Sequence, residues 1–310
     1  PFKADQEING LTLGSVGSGT KIDHVQVSYS NDDSFEWFGG AVNCKYLIAY
    51  KGWDDDFDTD NGYSGKVQFG LSVRDPRLAD QSQSNGFESD NCADGAQLTP
   101  YTTATFSNIT FVGPKAAADF QNDKSYITGG DYFPNNGSGL GKFQSAMQIR
   151  RSSRLNCVNS VATDWPIGLI VDGEKGNTVE QANAGTLNIK NIYFANMDVV
   201  GTDANKCYED KEYDFKTKSV KADSEMSFSH RFFEKQDGNK YFADKSQLML
   251  TDGKGVGVPF MPQAGSLLFG AQNFDGLDAW FDQVTYIGAF NAGDNWLDGW
   301  TNFDPQNANY

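Results

Sequence analysis

An apolar triad, φ-x-x-φ-x-φ with φ an apolar residue, returns along the chain and limits its folds more than any other feature. It reads Ile22/Val25/Val27, Phe106/Ile109/Phe111, Ile189/Ile192/Phe194 and Phe281/Val284/Tyr286, with weaker copies at Cys44/Leu47/Ala49 and Leu155/Val158/Ser160. The last two members of each triad alternate as a half-buried strand does. Ile22 to Cys44 is 22 residues, and Val25 to Leu47 is again 22, so two consecutive units are in register. The polar turns repeat in step: N-D-D-S-F-E-W-F-G-G at 31–40, D-D-D-F-D-T-D-N-G at 54–62 and S-N-G-F-E-S-D-N at 84–91. Phe35 to Phe57 is 22 residues and Phe57 to Phe87 is 30, which places a loop of about eight extra residues near D-P-R-L-A-D-Q-S-Q in the third unit.

A sandwich or barrel of short strands would show hairpin signals roughly every 8–12 residues. The period here is about twice that. Stacked coils place equivalent residues above one another at roughly 4.8 Å, which accounts for the Phe ladder and the acidic turns together. The expected fold is therefore all-β: a right-handed parallel β-helix, or solenoid, with long loop insertions. Its coils are expected over residues 1–200. An insertion or side lobe is expected at 201–265, and a final coil with a C-terminal cap at 266–310. A Gly-rich excursion is expected between residues 113 and 145. The tail G-D-N-W-L-D-G-W-T-N-F-D-P is expected to cover the exposed last coil, because an open solenoid end is an aggregation edge.

Composition supports this class. The chain is 38% hydrophobic with 33 Gly and 9 Pro, enough for a core and unlike collagen or disordered chains. Aromatic residues reach 14%, which favours strands over helices. A formal charge of −16 repels phosphate backbones and anionic membranes, so nucleic acid is not an expected partner. No apolar run approaches the roughly 18 residues of a membrane span, and no basic-then-apolar leader opens the sequence. The four cysteines, Cys44, Cys92, Cys157 and Cys207, lack C-x-x-C spacing. That argues against zinc and leaves disulfides and buried thiols both open.

The segments G-S-G-T-K-I-D-H-V-Q-V-S-Y-S-N-D-D-S-F-E-W-F-G-G at 17–40 and Y-K-G-W-D-D-D-F-D-T-D-N-G-Y-S-G-K-V-Q-F-G at 50–70 carry a family resemblance, as do R-D-P at 74–76, S-N-G-F-E-S-D-N at 84–91 and the ending Y-I-G-A-F-N-A-G-D-N-W-L-D-G-W-T-N-F-D-P. They resemble a family of secreted right-handed β-helix proteins with a pectate-lyase-like fold, found on Gram-negative surfaces and often exported by the type IX route. The resemblance is good over roughly the first 115 residues and the last 30, and poor between. It implies a fold and a secreted or outer-cell-surface location rather than an activity. It also implies further coils upstream and often a sorting domain downstream, so the chain is expected to be a processed or partial product.

With each turn Phe facing inward, alternation turns the residues one and three places later outward. These are Glu36 and Phe38, Asp58 and Asp60, and Glu88 and Asp90. Glu36, Asp58 and Glu88 then form a column of carboxylates, which cannot all stay ionised without a cation or basic neighbours. Three readings follow. One is a Ca²⁺ site, with Asp56, Asp58, Asp60 and Glu88 as ligands and help from the Asn61 and Gly62 carbonyls. The D-F-D-T-D-N-G run is not an EF-hand loop, because its Gly comes one place late and the twelfth residue from Asp56 is Val67. The second reading is turn capping, the usual work of Asp and Asn in turns.

The third reading is catalysis by a polysaccharide lyase or glycoside hydrolase. Asp32/Asp33 superficially resembles the paired aspartates of polygalacturonases, but no G-H-G or R-I-K follows. Arg74, Arg77, Arg150, Arg151 and Arg154 are candidate bases by type only. His24 and His230, the only histidines, support neither a transition-metal cluster nor a Ser-His-Asp triad. Trp37, Phe38, Trp53, Tyr63, Trp296 and Trp300 can stack on sugars or pack in the core. A non-enzymatic module that binds an extracellular glycan or a neighbouring surface protein is expected, with Glu36, Trp37, Trp53 and Arg74 as candidate contacts, and an enzyme acting on an extracellular glycan is the alternative.

Overall fold

A computed structural model describes residues 8–120, 141–294 and 296–309. Short and long strands alternate: β1 (Leu11–Gly14), β2 (Lys21–Ser28), β3 (Phe35–Phe38), β4 (Asn43–Tyr50), β5 (Phe57–Asp60), β6 (Lys66–Val73), β7 (Phe87–Ser89) and β8 (Thr105–Val112). They continue as β9 (Ser145–Ile149), β10 (Asn156–Thr163), β11 (Ile167–Val171), the helix α1 (Thr178–Ala184), β12 (Asn188–Ala195) and β13 (Val199–Thr202). A hairpin, β14 (Tyr213–Asp214) and β15 (Ser219–Val220), then precedes the helix α2 (Phe228–Lys235) and β16 (Lys240–Phe242). The odd strands β1 to β13 form one seven-stranded sheet, and the even strands β2 to β12 with β16 form the other. Every pairing in the two is parallel, so the fold is a parallel β-helix, with seven rungs among the described residues.

The triad spacing has a backbone cause. His24, Tyr46, Phe69, Asn108, Asn159 and Asn191 occupy one position in successive long strands, and all have φ between 49° and 62°. A left-handed residue in mid-strand kinks the chain and shifts the side-chain alternation by one place. The first two inward residues of a triad therefore stand three apart, and the next two stand two apart. Ile22, Cys44, Val67, Phe106, Cys157 and Ile189 stack as the first member. The triad of β10 is thus Cys157/Ser160/Ala162, and the Leu155/Val158/Ser160 reading was two places out. All four cysteines are free thiols. Cys44 and Cys157 share one inward column three coils apart, out of bonding reach, and burial pushes both thiols up to about 12.

The Phe ladder stands as the core. Phe35, Phe57 and Phe87 are fully buried and registered, with Trp37, Tyr63, Phe106 and Phe111 packed among them. The expected loop falls between β6 and β7, and the Gly-rich excursion lies largely in residues 121–140, outside the described residues.

Three expectations about the second half are corrected. The last rung of the long-strand sheet is β16, which lies within the segment read as an insertion. The end of the core is covered by α2, whose Phe232 and Phe233 are buried; Phe233 stacks on Phe194 at 4.5 Å. Residues 266–309 form no further coil among the described residues: the triad at Phe281 runs outside the stack, on the outer face of the long-strand sheet. Asn273 meets Asn159, Tyr286 and Gly288 meet Asn108, Asp282 meets Gln68 and Lys45, and Asn302 meets Gln26. The tail goes there because Ile48, Tyr50, Leu71, Val73 and Val112 of that sheet form an apolar cluster with Phe260, Phe290 and Leu297. Trp296 and Trp300 belong to this cover, Trp296 against Tyr46 at 5.4 Å and Trp300 against His24 at 5.2 Å.

Candidate metal and carbohydrate face

The short strands and the turns before them carry two polar, mostly acidic columns three sequence positions apart, with the single acid Asp56 between them. The first, two residues before each Phe, is Asp33, Asp55 and Asn85, all buried. The Asp55 amide donates to Asp33 Oδ1 at 2.9 Å, the Asn85 amide to Asp55 Oδ1 at 2.5 Å and the Ser145 amide to Asn85 Oδ1 at 3.1 Å. Each side chain satisfies a backbone donor of the next coil. The capping reading holds for this column.

In the position just before the Phe, Asp56 is fully buried. Arg74 Nη1 donates to its Oδ1 at 2.9 Å and Ser72 Oγ to its Oδ2 at 2.5 Å. Arg74 also binds the carbonyls of Trp53 and Asp54, at 2.8 and 2.5 Å. Burial raises Asp56 to about 6 against the pull of Arg74. Asp56 is therefore committed to an internal ion pair rather than to the outer column, and Arg74 is not placed to meet a substrate.

The second column, one residue after each Phe, is Glu36, Asp58 and Glu88, registered side by side. Carboxylate oxygens of Asp33, Glu36 and Asp58 lie within 4.8 Å of one another, and so do those of Asp32, Asp33 and Asp54. Asp54 Oδ1 and Asp58 Oδ1 are buried with no hydrogen-bond partner among the described residues. Burial pushes Glu36 up to about 7, opposed by a hydrogen bond from Asn9 Nδ2. Asp33, Asp54, Asp55 and Asp58 all sit well above the usual carboxylate range, first through burial and then through neighbouring carboxylates: Asp58 for Asp33, Asp80 for Asp54, Asp54 for Asp55 and Glu88 for Asp58.

Among the described residues, positive charge enters at the far end of the column. Arg150 pairs with Glu88 and, at 2.9 Å, with Asp90, while Arg151 reaches Asp90 at 2.6 Å. Glu88 still rises to about 7, because burial outweighs Arg150. Asp60 stands at the edge of the face and accepts its neighbour Asn61's amide at 2.5 Å.

Of the four expected ligands, Asp58 lies in a carboxylate cluster, Glu88 is taken by Arg150, Asp60 is peripheral and Asp56 is internal. Among the expected glycan contacts only Glu36 faces this site. Trp37 follows Phe35 by two and so points into the core, and Trp53 is buried with its Nε1 donating to Ala79 O at 3.1 Å. Asp33 and Asp54, which stand in these carboxylate clusters, were not among the expected ligands. Their signal was the match of N-D-D-S-F with D-D-D-F at the same 22-residue offset as the Phe pair.

The donor set is all carboxylate oxygen, hard and anionic, with two buried oxygens unpartnered. That chemistry fits Ca²⁺ rather than a soft transition metal. No curated protein sequence and no solved structure matches the chain. The family model described as a pectate-lyase like beta helix domain matches residues 1–232, and with a stack of parallel rungs over that span the chain belongs to this family of pectate-lyase-like β-helix domains.

Proposed function

We propose that the protein is a secreted or outer-surface glycan-binding module of a Gram-negative bacterium, exported by the type IX route, whose carboxylate face holds a calcium ion. Asp33, Glu36 and Asp58 are the ligands, with Asp54 beside them. The carrying observation is the buried Asp58 Oδ1, unpartnered where three carboxylates converge. A bound divalent cation relieves that repulsion and stabilises the fold by mass action. It also offers open coordination positions to glycan hydroxyl or carboxylate oxygens, since Ca²⁺ takes six to eight ligands. Calorimetric titration of chelated protein with Ca²⁺ tests this: one saturable site is expected, lost in Asp58→Asn. Heat-free titration with unchanged melting in calcium and in chelator sinks it.

A catalytic reading has its own support. Glu36 and Glu88, each raised to about 7, flank Asp58 two rungs apart, roughly 10 Å by strand spacing. That is near the separation of an inverting acid–base pair. Assays for new reducing ends and for unsaturated products, run on Glu36→Gln and Glu88→Gln beside the parent, distinguish hydrolase, lyase and binding module.

A further inference from the structure

A second cleft lies on the long-strand sheet, away from the carboxylate face and sharing no residue with it. Between residues 273–277 and the strands β10 and β12 is a groove of about 470 Å³, within the roughly 300–1,000 Å³ range of small-molecule sites. Asn156, Asn188 and Lys190 line it from the strands, Asn273 from the C-terminal segment, and Val158 and Leu277 supply an apolar lining.

The amides are held in place before any ligand arrives. Asn188 Nδ2 donates to Asn156 Oδ1 at 3.0 Å and to Gly185 O at 2.9 Å, and Asn156 Nδ2 donates to Arg154 O at 3.1 Å. The other wall is fixed reciprocally: Asn159 Nδ2 donates to Asn273 O and the Asn273 amide donates to Asn159 Oδ1, both at 2.9 Å. Asn188 Oδ1 has no protein partner among the described residues. Lys190 meets Asp237 only at 3.8 Å, with both side chains open to solvent, so its ammonium can turn to a ligand.

We infer that this groove binds a short neutral oligosaccharide. Fixed amides both donate and accept, as a pair of neighbouring sugar hydroxyls requires, and their order is present before binding. Val158 and Leu277 match the C–H face of a pyranose ring. Lys190 is countered by Asp237 and Asp275, and the chain carries −16 overall, so a polyanionic glycan is repelled.

Calorimetry and saturation-transfer NMR in chelator, with the tetrasaccharides of cellulose, xylan, mannan and chitin as probes, test the site without the calcium face. Saturable binding of at least one is expected. It weakens at least tenfold in Lys190→Met and in Leu277→Trp, is unchanged in Asp58→Asn, and is not competed by tetragalacturonate. Lys190→Met alters a solvent-open side chain, so it remains informative if the Trp variant misfolds. The inference is overturned if no neutral probe binds, if Lys190→Met binds as the parent does, if Asp58→Asn abolishes binding, or if tetragalacturonate competes.

Discussion

Two columns of acidic side chains run up the same face of this β-helix three sequence positions apart, and they are opposites. Asp33, Asp55 and Asn85 each accept a backbone amide from the next coil. Glu36, Asp58 and Glu88 face one another, with compensation among the described residues from Arg150 at the Glu88 end, and Asp33 alone takes part in both columns. The same residue types are thus bracing where they meet amides and an unbalanced charge where they meet carboxylates. Asp56 gives the third solution, a buried arginine.

The harshest way to break this contrast is Arg74→Ala, which strands Asp56 in the core. A loss of about 3–5 kcal/mol in urea unfolding is expected, because the remaining charge has no partner. A loss under about 1 kcal/mol would mean the pair is not the internal neutraliser described.

Next in size is the pH response in chelator. Glu36 and Glu88 are raised to about 7 from 4.5, so the folded state holds more protons than the unfolded state between those values. Stability from these groups is complete below about 4.5 and lost as pH rises through about 7, on the order of 2–3 kcal/mol for each group once solvent screening is allowed for. Saturating calcium should flatten or reverse that slope. A flat profile of unfolding free energy against pH in chelator contradicts the open-column description.

Asn85→Ala sharpens the other side of the contrast. It leaves the Ser145 amide buried and unpaired and should cost about 1–3 kcal/mol, equally with and without calcium. If its cost depends on calcium, the brace at Asn85 is coupled to the ion site through Asp55 and Asp33 rather than local. The smallest effect is Asp58→Asn in chelator, where removing one of a set of facing like charges should stabilise by about 0.2–1 kcal/mol while abolishing the calcium-induced rise in melting temperature. Destabilisation in chelator would show that Asp58 is a brace after all.

The sequence made the coils legible because the Phe35, Phe57 and Phe87 ladder and the 22-residue offset are direct projections of stacking. It was less informative where one pattern has two physical origins. Phe281/Val284/Tyr286 repeats the triad spacing, yet its apolar residues lie on the outside of the stack rather than in it. Leu155/Val158/Ser160 fits the template as well as the true Cys157/Ser160/Ala162, because the kink residue that sets the register, Asn159, leaves no hydropathy signature. The carboxylate face was half readable. Alternation placed Glu36 and Asp58 outward, but one shift of parity sent Asp56 inward to Arg74, and the turn aspartates Asp33 and Asp54 entered the cluster from a segment with no alternation to read.

The C-terminal segment meets Asn159 on the fifth rung, Asn108 on the fourth, Gln68 on the third, Lys45 and Tyr46 on the second and Gln26 on the first. A solenoid ordinarily unfolds as a row of neighbours, fraying from whichever end is weakest. A chain that travels back down its own stack ties the first rung to the fifth by contacts other than the pairing of neighbouring coils. The first rung, whose Ile22, Val25 and Val27 are only partly buried, cannot peel off unless Trp300 and Asn302 let go as well. Five rungs that could each open alone are thereby joined into one cooperative unit, so this stretch should melt in a single transition.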